Sequence, residues 1–282
     1  MISDKETNKI FFSNRLKLDF PNTCAEIEQT LNSYGITPDF LPETKDIWAR
    51  DYMPIQTSKD MFIEYRYDPD YLQGTDKNRR ELKTYPDIVC DAIKLPTKKI
   101  DIILDGGNVV KSKNTIILTD KVVEENKRNY SKHQLLDKLH EVFQVDKVVL
   151  IPWDDKCEFG HSDGMLRFIN DDTVLISGFY DTTDIEFKEY LVKSLKRANL
   201  KWEWLRCSNN EQEKNIAYIN FLQTKDLILI PKLNADEDDK AFEQISKHYN
   251  DYTMNNKIAQ VDMTEIVKMK GALNCISWTI KQ

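Results

Sequence analysis

The sequence predicts an α/β fold in which five similar modules form a closed ring, the architecture of an α/β propeller. Three observations lead to this prediction. Four times along the 282 residues, two β-rich runs flank a short polar turn, which is the pattern of a β-hairpin. The turns recur about every 55 residues, a period typical of propellers and arrays. Amphipathic stretches with helical periodicity lie between the hairpins.

The hairpins and helices set the order of elements within a module. The predicted hairpins cover residues 53–66, 108–119, 165–177 and 219–231, with turns at 57–60, 112–114, 170–172 and 224–226. Residues 132–143 place Leu135, Leu136, Leu139 and Val142 on one helical face. Further helices are predicted over residues 24–34 (with Asn22 as N-cap), 185–200 and 237–250, and short strands over 147–151 and 202–205. Each module therefore has the order strand, strand, helix, strand.

A fifth module is predicted from the two ends of the chain. The N-terminal segment and a strand over residues 274–280 can combine, which brings both termini into the ring. Modules of this kind leave a hydrophobic face that only neighbouring modules cover. Five ββαβ modules are therefore expected to form a single domain over residues 1–282.

Composition limits the functional classes. Apolar residues make up 40% and charged residues 31%, an ordinary globular balance. No apolar run approaches the roughly 20 residues that cross a bilayer, and the polar N-terminus has no apolar segment of a secretory signal. The net charge of −7 gives no long-range attraction to nucleic acid or anionic lipid. We therefore expect no nucleic-acid partner and no membrane association.

The five cysteines are an odd number, are widely spaced and form no C-x-x-C pair. This spacing suggests neither a disulfide framework nor a structural zinc site. A reducing, cytoplasmic location is the simplest expectation. Most such cysteines are small buried hydrophobic residues, so a reactive one needs a further argument.

Polar residues precede the hairpins at matching positions. Asp51, Asp105 and Asp163 lie at nearly the same distance from their turns, and Asn108 and Asn220 share another position. Equivalent positions in a ring of modules converge on one central opening, so these side chains are expected to form one site. Each alone has a simpler explanation, because Asp before a strand is usually a turn residue.

His161 and Cys275 extend this cluster. His161 lies in a loop between Gly160 and a carboxylate, whereas the other three histidines fall on helical stretches. Cys275 follows Asn274 in the last predicted strand. Either residue alone would more often be structural, and it is the joint arrangement that favours a functional site.

Five short motifs resemble, in family order, those of the agmatine deiminase and bacterial-type peptidylarginine deiminase family. The motifs are Trp48-Ala-Arg-Asp-Tyr-Met-Pro54, Gly106-Gly-Asn108, Gly160-His-Ser-Asp163, Tyr218-Ile-Asn-Phe221 and Gly271-Ala-Leu-Asn-Cys275. The resemblance extends from the first motif to the C-terminus. It implies the five-bladed α/β propeller of the guanidino-modifying superfamily, in agreement with the repeat.

The resemblance also implies roles. Cys275 matches the nucleophile, His161 the general acid and base, and Asp51 and Asp163 the carboxylates that bind a guanidinium group. The other expected substrate-binding residues are Trp48, along the alkyl stem of the substrate, Asp105, Asn108 and Asn220. Either Asp155 or Glu158 is expected to orient the imidazole. The implied reaction needs no metal or organic cofactor.

The chemistry explains these residue types. A guanidinium is a planar cation with a fork of N–H donors, and two carboxylates can each bind one edge. A thiolate can then attack the central carbon, release ammonia and leave an amidino-thioether, which water hydrolyses to a ureido product. The expected ligand is therefore a small guanidino compound, agmatine-like or arginine-like.

The sequence departs from the family pattern at several points. Ala272-Leu273-Asn274 stands where a glycine-rich run and a histidine are common, and Met53 stands where glycine is common. Peptidylarginine enzymes use arginines after the first motif to bind the substrate carboxylate. Here that stretch offers only Arg66, together with Asp68 and Asp70, which favours a substrate with a second cationic or neutral end.

Other functions fit parts of the pattern. An amidinotransferase would use the same cysteine and histidine but pass the amidino group to an amine, and a peptidylarginine deiminase would act on a longer substrate. A catalytically silent binding relative would be expected to have lost site residues that are intact here. A metal hydrolase is disfavoured, because a single histidine without a histidine partner is a poor ligand set. The oligomeric state stays open, with a homodimer as one alternative.

Overall fold

The computed structural model describes residues 1–73, 75–182, 184–206 and 217–282, and Cys207 lies outside these ranges. Within them the strands form five three-stranded sheets. In chain order the strands are β1 (Lys9–Ser13), β2 (Asp39–Leu41), β3 (Ile55–Ser58), β4 (Met61–Arg66), β5 (Lys98–Ile103), β6 (Val110–Lys111), β7 (Thr115–Thr119), β8 (Lys147–Ile151), β9 (Leu166–Phe168), β10 (Thr173–Ser177), β11 (Lys201–Leu205), β12 (Leu222–Gln223), β13 (Ile228–Lys232), β14 (Ile258–Asp262) and β15 (Ser277–Ile280).

The five sheets share one topology. Their strand orders are β15–β1–β2, β3–β4–β5, β6–β7–β8, β9–β10–β11 and β12–β13–β14. In each, the central strand pairs antiparallel with the strand written first and parallel with the third. The four hairpins and the module built from both chain ends are therefore confirmed, as is the α/β class with five pseudo-repeat modules.

Helices connect the second and third strands of the modules, except Ala49–Tyr52, Thr264–Val267 and Leu273–Ile276, which lie before a first strand. Their bounds are Asn14–Asp19, Pro21–Ser33, Ala49–Tyr52, Lys77–Glu81, Pro86–Ala92, Lys121–Asn126, Lys132–Phe143, Phe179–Thr182, Ile185–Arg197, Asp238–His248, Asn250–Met254, Thr264–Val267 and Leu273–Ile276. The prediction over residues 132–143 agrees at both ends. The prediction of Asn22 as an N-cap is wrong, because that helix begins at Pro21, which is preorganised for a first helical position.

The hydrophobic core joins neighbouring modules. Trp278 in β15 packs against Phe11 of its own sheet at 5.0 Å between ring centroids and against Phe62 of the next module at 6.1 Å. Its indole N–H donates to the carbonyl oxygen of Pro54 at 2.8 Å. Each of the four buried clusters likewise contains residues from adjacent sheets, so each module covers the apolar face of its neighbour.

One local feature recurs before the first strand of each sheet. A short helical turn precedes that strand every time, at Ala49–Tyr52, Gly106–Asn108, Ser162–Gly164, residues 217–219 and Leu273–Ile276. These five turns bring the polar motifs of the sequence to one end of the strand written first in each sheet, called the inner strand below. Among the described residues, no helix combines the length and apolarity of a bilayer span.

Candidate active site

The helical turns surround a cavity of about 550 Å³. Of the residues that the sequence singles out for catalysis or substrate binding, the cavity wall contains Trp48, Asp51, His161, Asp163, Asn220 and Cys275. These residues come from four of the five modules, and the third module adds Asp105 behind His161. Asp51, Asp105, His161, Asp163 and Cys275 are called the central site below.

Cys275 is held by its backbone and faces a carboxylate. Its N–H donates to Asn220 Oδ1 at 3.1 Å, and its Sγ lies 3.7 Å from Asp163 Oδ2. The same carboxylate oxygen accepts a hydrogen bond from Asn274 Nδ2 at 2.7 Å. Asn220 Nδ2 in turn donates to the carbonyl oxygen of Asp163 at 3.4 Å. Neighbouring asparagines therefore fix the thiol and the carboxylate relative to each other.

His161 lies between two carboxylates. Its Nε2 is 2.9 Å from Asp105 Oδ2, and its Nδ1 is 3.6 Å from Asp51 Oδ1. Gly107 makes this approach possible, because a Cβ atom there would lie 2.5 Å from Asp51 Oδ1 and 2.6 Å from His161 Nδ1. The Gly107 N–H instead donates to Asp51 Oδ1 at 3.1 Å. The second glycine of the motif is thus needed for close packing at the site.

The electrostatics of the central site favour a cationic ligand. Burial raises the pKa of Asp51 to about 8, and Asp105 and Asp163 act in the same direction while His161 opposes them. Burial alone would lower the pKa of His161, but the three carboxyl groups outweigh it and raise the value to about 10. Burial, Asp163 and Asp51 raise the pKa of the Cys275 thiol well above its ordinary value. In the protein alone the imidazole is therefore protonated and the thiol neutral.

The expectation that Asp155 or Glu158 orients His161 is wrong. Both side chains are exposed, and Glu158 forms an ion pair with Arg79 at 2.5 Å on the outer part of the cavity. Asp105 occupies the orienting position instead. The signal was present in the sequence, because Asp105 shares its repeat position with the two other carboxylates of the site.

Two expected substrate-binding residues do not reach the cavity. Asn108 is buried, and its Oδ1 accepts a hydrogen bond from the Thr119 N–H at 2.8 Å, which ties the turn to its own sheet. Asp105 is 3% exposed and meets the site through His161 rather than through the cavity. Repeat position therefore predicted proximity correctly but not which side chains are open to a ligand.

Trp48 lines the cavity, as expected for a residue along a substrate stem. Its ring packs directly on Gly271, where a Cβ atom would lie 2.3 Å from Cζ3. Arg66 behaves differently, since it pairs with Asp68 at 2.6 Å and is not part of the cavity wall.

Sequence reasoning missed Tyr71 as part of the site. Tyr71 lines the cavity, and its hydroxyl donates to Asp105 Oδ2 at 3.1 Å, the oxygen that also faces His161. It comes from the loop between β4 and β5, outside every repeated motif, so no positional signal pointed to it. Asn274 was noted in the last motif and as a departure from the family pattern, but no role was assigned to it, and it contacts Asp163 directly.

Comparison with known proteins identifies the family. The family model described as Porphyromonas-type peptidyl-arginine deiminase matches residues 8–280. Agmatine deiminase of Medicago truncatula is 24% identical over 90% of this chain and 82% of that protein. Two bacterial relatives, from Mycoplasma capricolum and Enterococcus faecalis, are also 24% identical, and the match spans only 60% and 57% of their lengths.

Solved structures agree on the fold. Agmatine deiminase of C. jejuni superposes with a TM-score of 0.78 at 17% identity, over 100% of this chain and 95% of that chain. A cysteine-to-serine variant of the C. jejuni enzyme with substrate bound gives 0.75 at 16% identity, over 100% and 96%. Because the family model covers nearly the whole sequence, this chain belongs to the Porphyromonas-type peptidyl-arginine deiminase family.

Proposed function

We propose that this protein is a cysteine-dependent deiminase, an iminohydrolase that converts a small guanidino compound to its ureido product and ammonia. The observation that carries the proposal is the meeting of a thiol, an imidazole and three carboxyl groups in one buried site from separate modules. Family membership and the agmatine deiminases among its relatives support the same chemistry. The substrate tail is taken to be agmatine-like or arginine-like.

Substrate binding follows from charge. Asp51 and Asp163 line the cavity, and no lysine or arginine pairs with either of them among the described residues. A guanidinium placed between them would offer N–H donors to both carboxylates. Trp48 and Asn220 line the same cavity, where the ring can contact an alkyl stem. This arrangement would hold the guanidinium carbon near Cys275 Sγ.

The substrate would also activate the nucleophile. The Cys275 thiol is neutral in the protein alone because burial, Asp163 and Asp51 raise its pKa. A bound guanidinium places a positive charge beside both carboxyl groups, which favours the ionised form of Asp51 and stabilises a neighbouring thiolate. The thiol proton then leaves to solvent as the cation binds. Asp51 and Asp163 disfavour the thiolate in the protein alone, but they also bind the cation that stabilises it. The thiolate therefore forms only when substrate is present.

The reaction then proceeds in two displacements. Cys275 Sγ attacks the guanidinium carbon to form a tetrahedral adduct, and protonated His161 donates a proton to the departing nitrogen. Ammonia leaves and an amidino-thioether remains on the cysteine. His161, now neutral, removes a proton from water, which attacks the same carbon and expels the thiolate. The net change is guanidinium plus water to a ureido group plus ammonium.

Asp105 has a supporting part in this scheme. Its hydrogen bond to Nε2 holds the ring and favours the protonated imidazole, so that Nδ1 faces the cavity side with Asp51. A free thiol at Cys275 also requires reducing surroundings, which is why we include a cytoplasmic location in the proposal. A homodimer stays a prediction that light scattering can test.

Ammonia release from a panel of guanidino compounds tests the proposal. The panel contains agmatine, free arginine and peptidyl-arginine, and Cys275→Ala is compared with Cys157→Ala. Both cysteines line the cavity, so the second variant controls for loss of any pocket thiol. We expect release with at least one compound, abolished in Cys275→Ala and retained in Cys157→Ala. Activity that survives in Cys275→Ala contradicts the assigned nucleophile, and transfer to an added amine without ammonia would indicate an amidinotransferase.

A further inference from the structure

A buried lysine joins two loops of the site. Lys121 is the first residue of the helix Lys121–Asn126 and is 2% exposed. An ammonium ion withdrawn from water to this extent is stable only with close anionic or carbonyl partners. Glu125 lies in the same helix, but two further partners, Asp70 and Phe159, come from other loops, so the side chain connects parts of the molecule that are distant in sequence.

The contacts of the ammonium are well defined. Lys121 Nζ donates to Asp70 Oδ1 at 2.9 Å and to the carbonyl oxygen of Phe159 at 3.0 Å. Its Nζ lies 5.2 Å from the ring centroid of Tyr71 and 5.7 Å from that of Trp153. One side chain therefore ties the loop after β4 to the loop after β8.

The residues next to both contacts form hydrogen bonds with the same oxygen, Asp105 Oδ2. Tyr71 follows Asp70, and its hydroxyl donates to Asp105 Oδ2 at 3.1 Å. His161 lies two residues after Phe159, and its Nε2 is 2.9 Å from the same oxygen. The lysine thus anchors the chain immediately beside each of the two hydrogen-bond donors.

We propose that Lys121 is a positioning residue, which holds the two loops so that His161, Asp105 and Tyr71 keep their hydrogen-bonded arrangement. The inference rests on the proposed function, in which the imidazole transfers protons. Lys121 itself is not part of the cavity wall, whereas Phe159 and Tyr71, which it contacts, are. Its effect on the reaction is exerted through the loops.

The charges around the lysine keep it protonated. Burial alone would lower the pKa of Lys121, but Glu125 at 3.5 Å, Asp70 and Asp105 outweigh it and raise the pKa. These anionic groups therefore stabilise the charged form of Lys121. The imidazole, in turn, faces the three carboxyl groups of the central site. Loss of its contact with Asp105 would remove one of the groups that keep it protonated.

A buried lysine can also contribute only to stability, and Lys111 provides the matched comparison. Lys111 is 9% exposed, pairs with Asp4 and has no ion pair with the central site among the described residues. Replacing either lysine by methionine removes a buried ammonium and leaves an unbranched side chain that is one atom shorter. A purely structural role predicts the same behaviour for both variants.

Steady-state kinetics separates the two roles. We expect Lys121→Met to lower kcat about 100-fold with little change in KM, because a displacement of about 1 Å in a catalytic group has effects of this size. The alkaline limb of its pH profile should move to lower pH by about one unit, because His161 loses part of its carboxylate contact. Lys111→Met should lower Tm but keep the wild-type kcat and pH profile.

Titration of His161 by NMR gives a readout that needs no turnover. His161→Asn assigns the ring signal, and its pKa is then compared between wild type and Lys121→Met. A lower pKa in the lysine variant supports the proposal, and equal pKa values overturn it. If the wild type converts no guanidino compound, the proposed deiminase function fails, while this comparison still decides the positioning role.

Asp70→Asn covers the case in which Lys121→Met does not fold. The Asp70 side chain is 62% exposed, so the fold does not depend on its burial. Removing this anchor should lower kcat and shift the His161 pKa in the same direction by a smaller amount. Wild-type values for both quantities would overturn the proposal.

Discussion

The inner strands of the propeller carry charged groups at both ends, and the two ends are built differently. At one end lies the central site, where three carboxyl groups surround one imidazole. At the other lies a distal cluster formed by Asp4, Lys111 and Arg167. Asp4 comes from the N-terminal turn Asp4–Glu6 and pairs with both cations, with Arg167 at 2.8 Å.

The difference lies in where the counter-charge originates. In the distal cluster the chain itself supplies the carboxylate, and the cations lower the pKa of Asp4 against the opposing effect of burial. At the central site no lysine or arginine of the described residues pairs with the carboxyl groups, and burial raises the pKa of Asp51. One end is therefore a structural ion cluster, while the other favours a cation from outside.

The largest expected effect tests this difference directly. Asp163→Asn should lower kcat/KM by about 100- to 1,000-fold, because the variant loses a preorganised negative charge that faces the guanidinium of the substrate. Its Tm should not fall, since the replaced carboxylate has no lysine or arginine partner among the described residues. Asp4→Asn should lower Tm and keep the wild-type kcat/KM. Steady-state kinetics and thermal melts of both variants, with matched side-chain shape, measure this contrast.

Equal changes in kcat/KM and Tm for Asp163→Asn and Asp4→Asn would contradict this difference between the two ends. Wild-type activity in Asp163→Asn would show that this carboxylate does not bind the substrate. A loss of activity in Asp4→Asn as large as that in Asp163→Asn would show that the distal cluster also serves the reaction.

The next effect concerns stability. Asp4→Asn should lower the free energy of unfolding by about 3 kcal/mol, because it leaves two buried cations without their carboxylate. Asp171→Asn is the control, since Asp171 pairs with Lys5 in an exposed position, where such pairs contribute about 0–1 kcal/mol. Urea denaturation gives both values. Equal losses in the two variants would mean that the distal cluster is solvated rather than structural.

Much of this architecture follows from local signals. Polar turns between β-rich runs located the four hairpins, and apolar periodicity located the helix Lys132–Phe143 at both ends. The repeat position of Asp51, Asp105 and Asp163 predicted that they converge, since equivalent positions in a ring meet at its centre. The fold and the composition of the central site were thus largely visible in the sequence.

The unpredicted features depend on tertiary contacts. Lys121 and Lys111 are lysines, a residue type that is almost always exposed, and only the folded structure brings Asp70 or Asp4 to them. Tyr71 meets Asp105 through a loop of no regular pattern. Pairings across tens to hundreds of residues leave no periodic trace in a single sequence.

A third, smaller effect is expected in acid. The folded-state pKa of Asp4 is lowered, so its contribution to stability is complete above its ordinary pKa of about 4 and is lost as pH falls through the folded value. Below pH 4 the free energy of unfolding of the wild type should therefore fall by about 2 kcal/mol more than that of Asp4→Asn. Urea midpoints measured over this range test it. Parallel curves for the two proteins would show that Asp4 titrates normally in the folded state.

The smallest effect is expected outside both clusters. Arg66 ends β4, is 55% exposed at its side chain, pairs with Asp68 and lies off the cavity wall, although the loop that follows it carries Tyr67 and Tyr71. Arg66→Ala should change stability by less than about 1 kcal/mol, because exposed ion pairs are weak. It should also leave the ratio of kcat/KM for arginine to that for agmatine unchanged. A selective loss of activity on arginine would instead show that Arg66 binds the carboxylate of the substrate. Exposed charged groups would then contribute to substrate binding in addition to the buried ones.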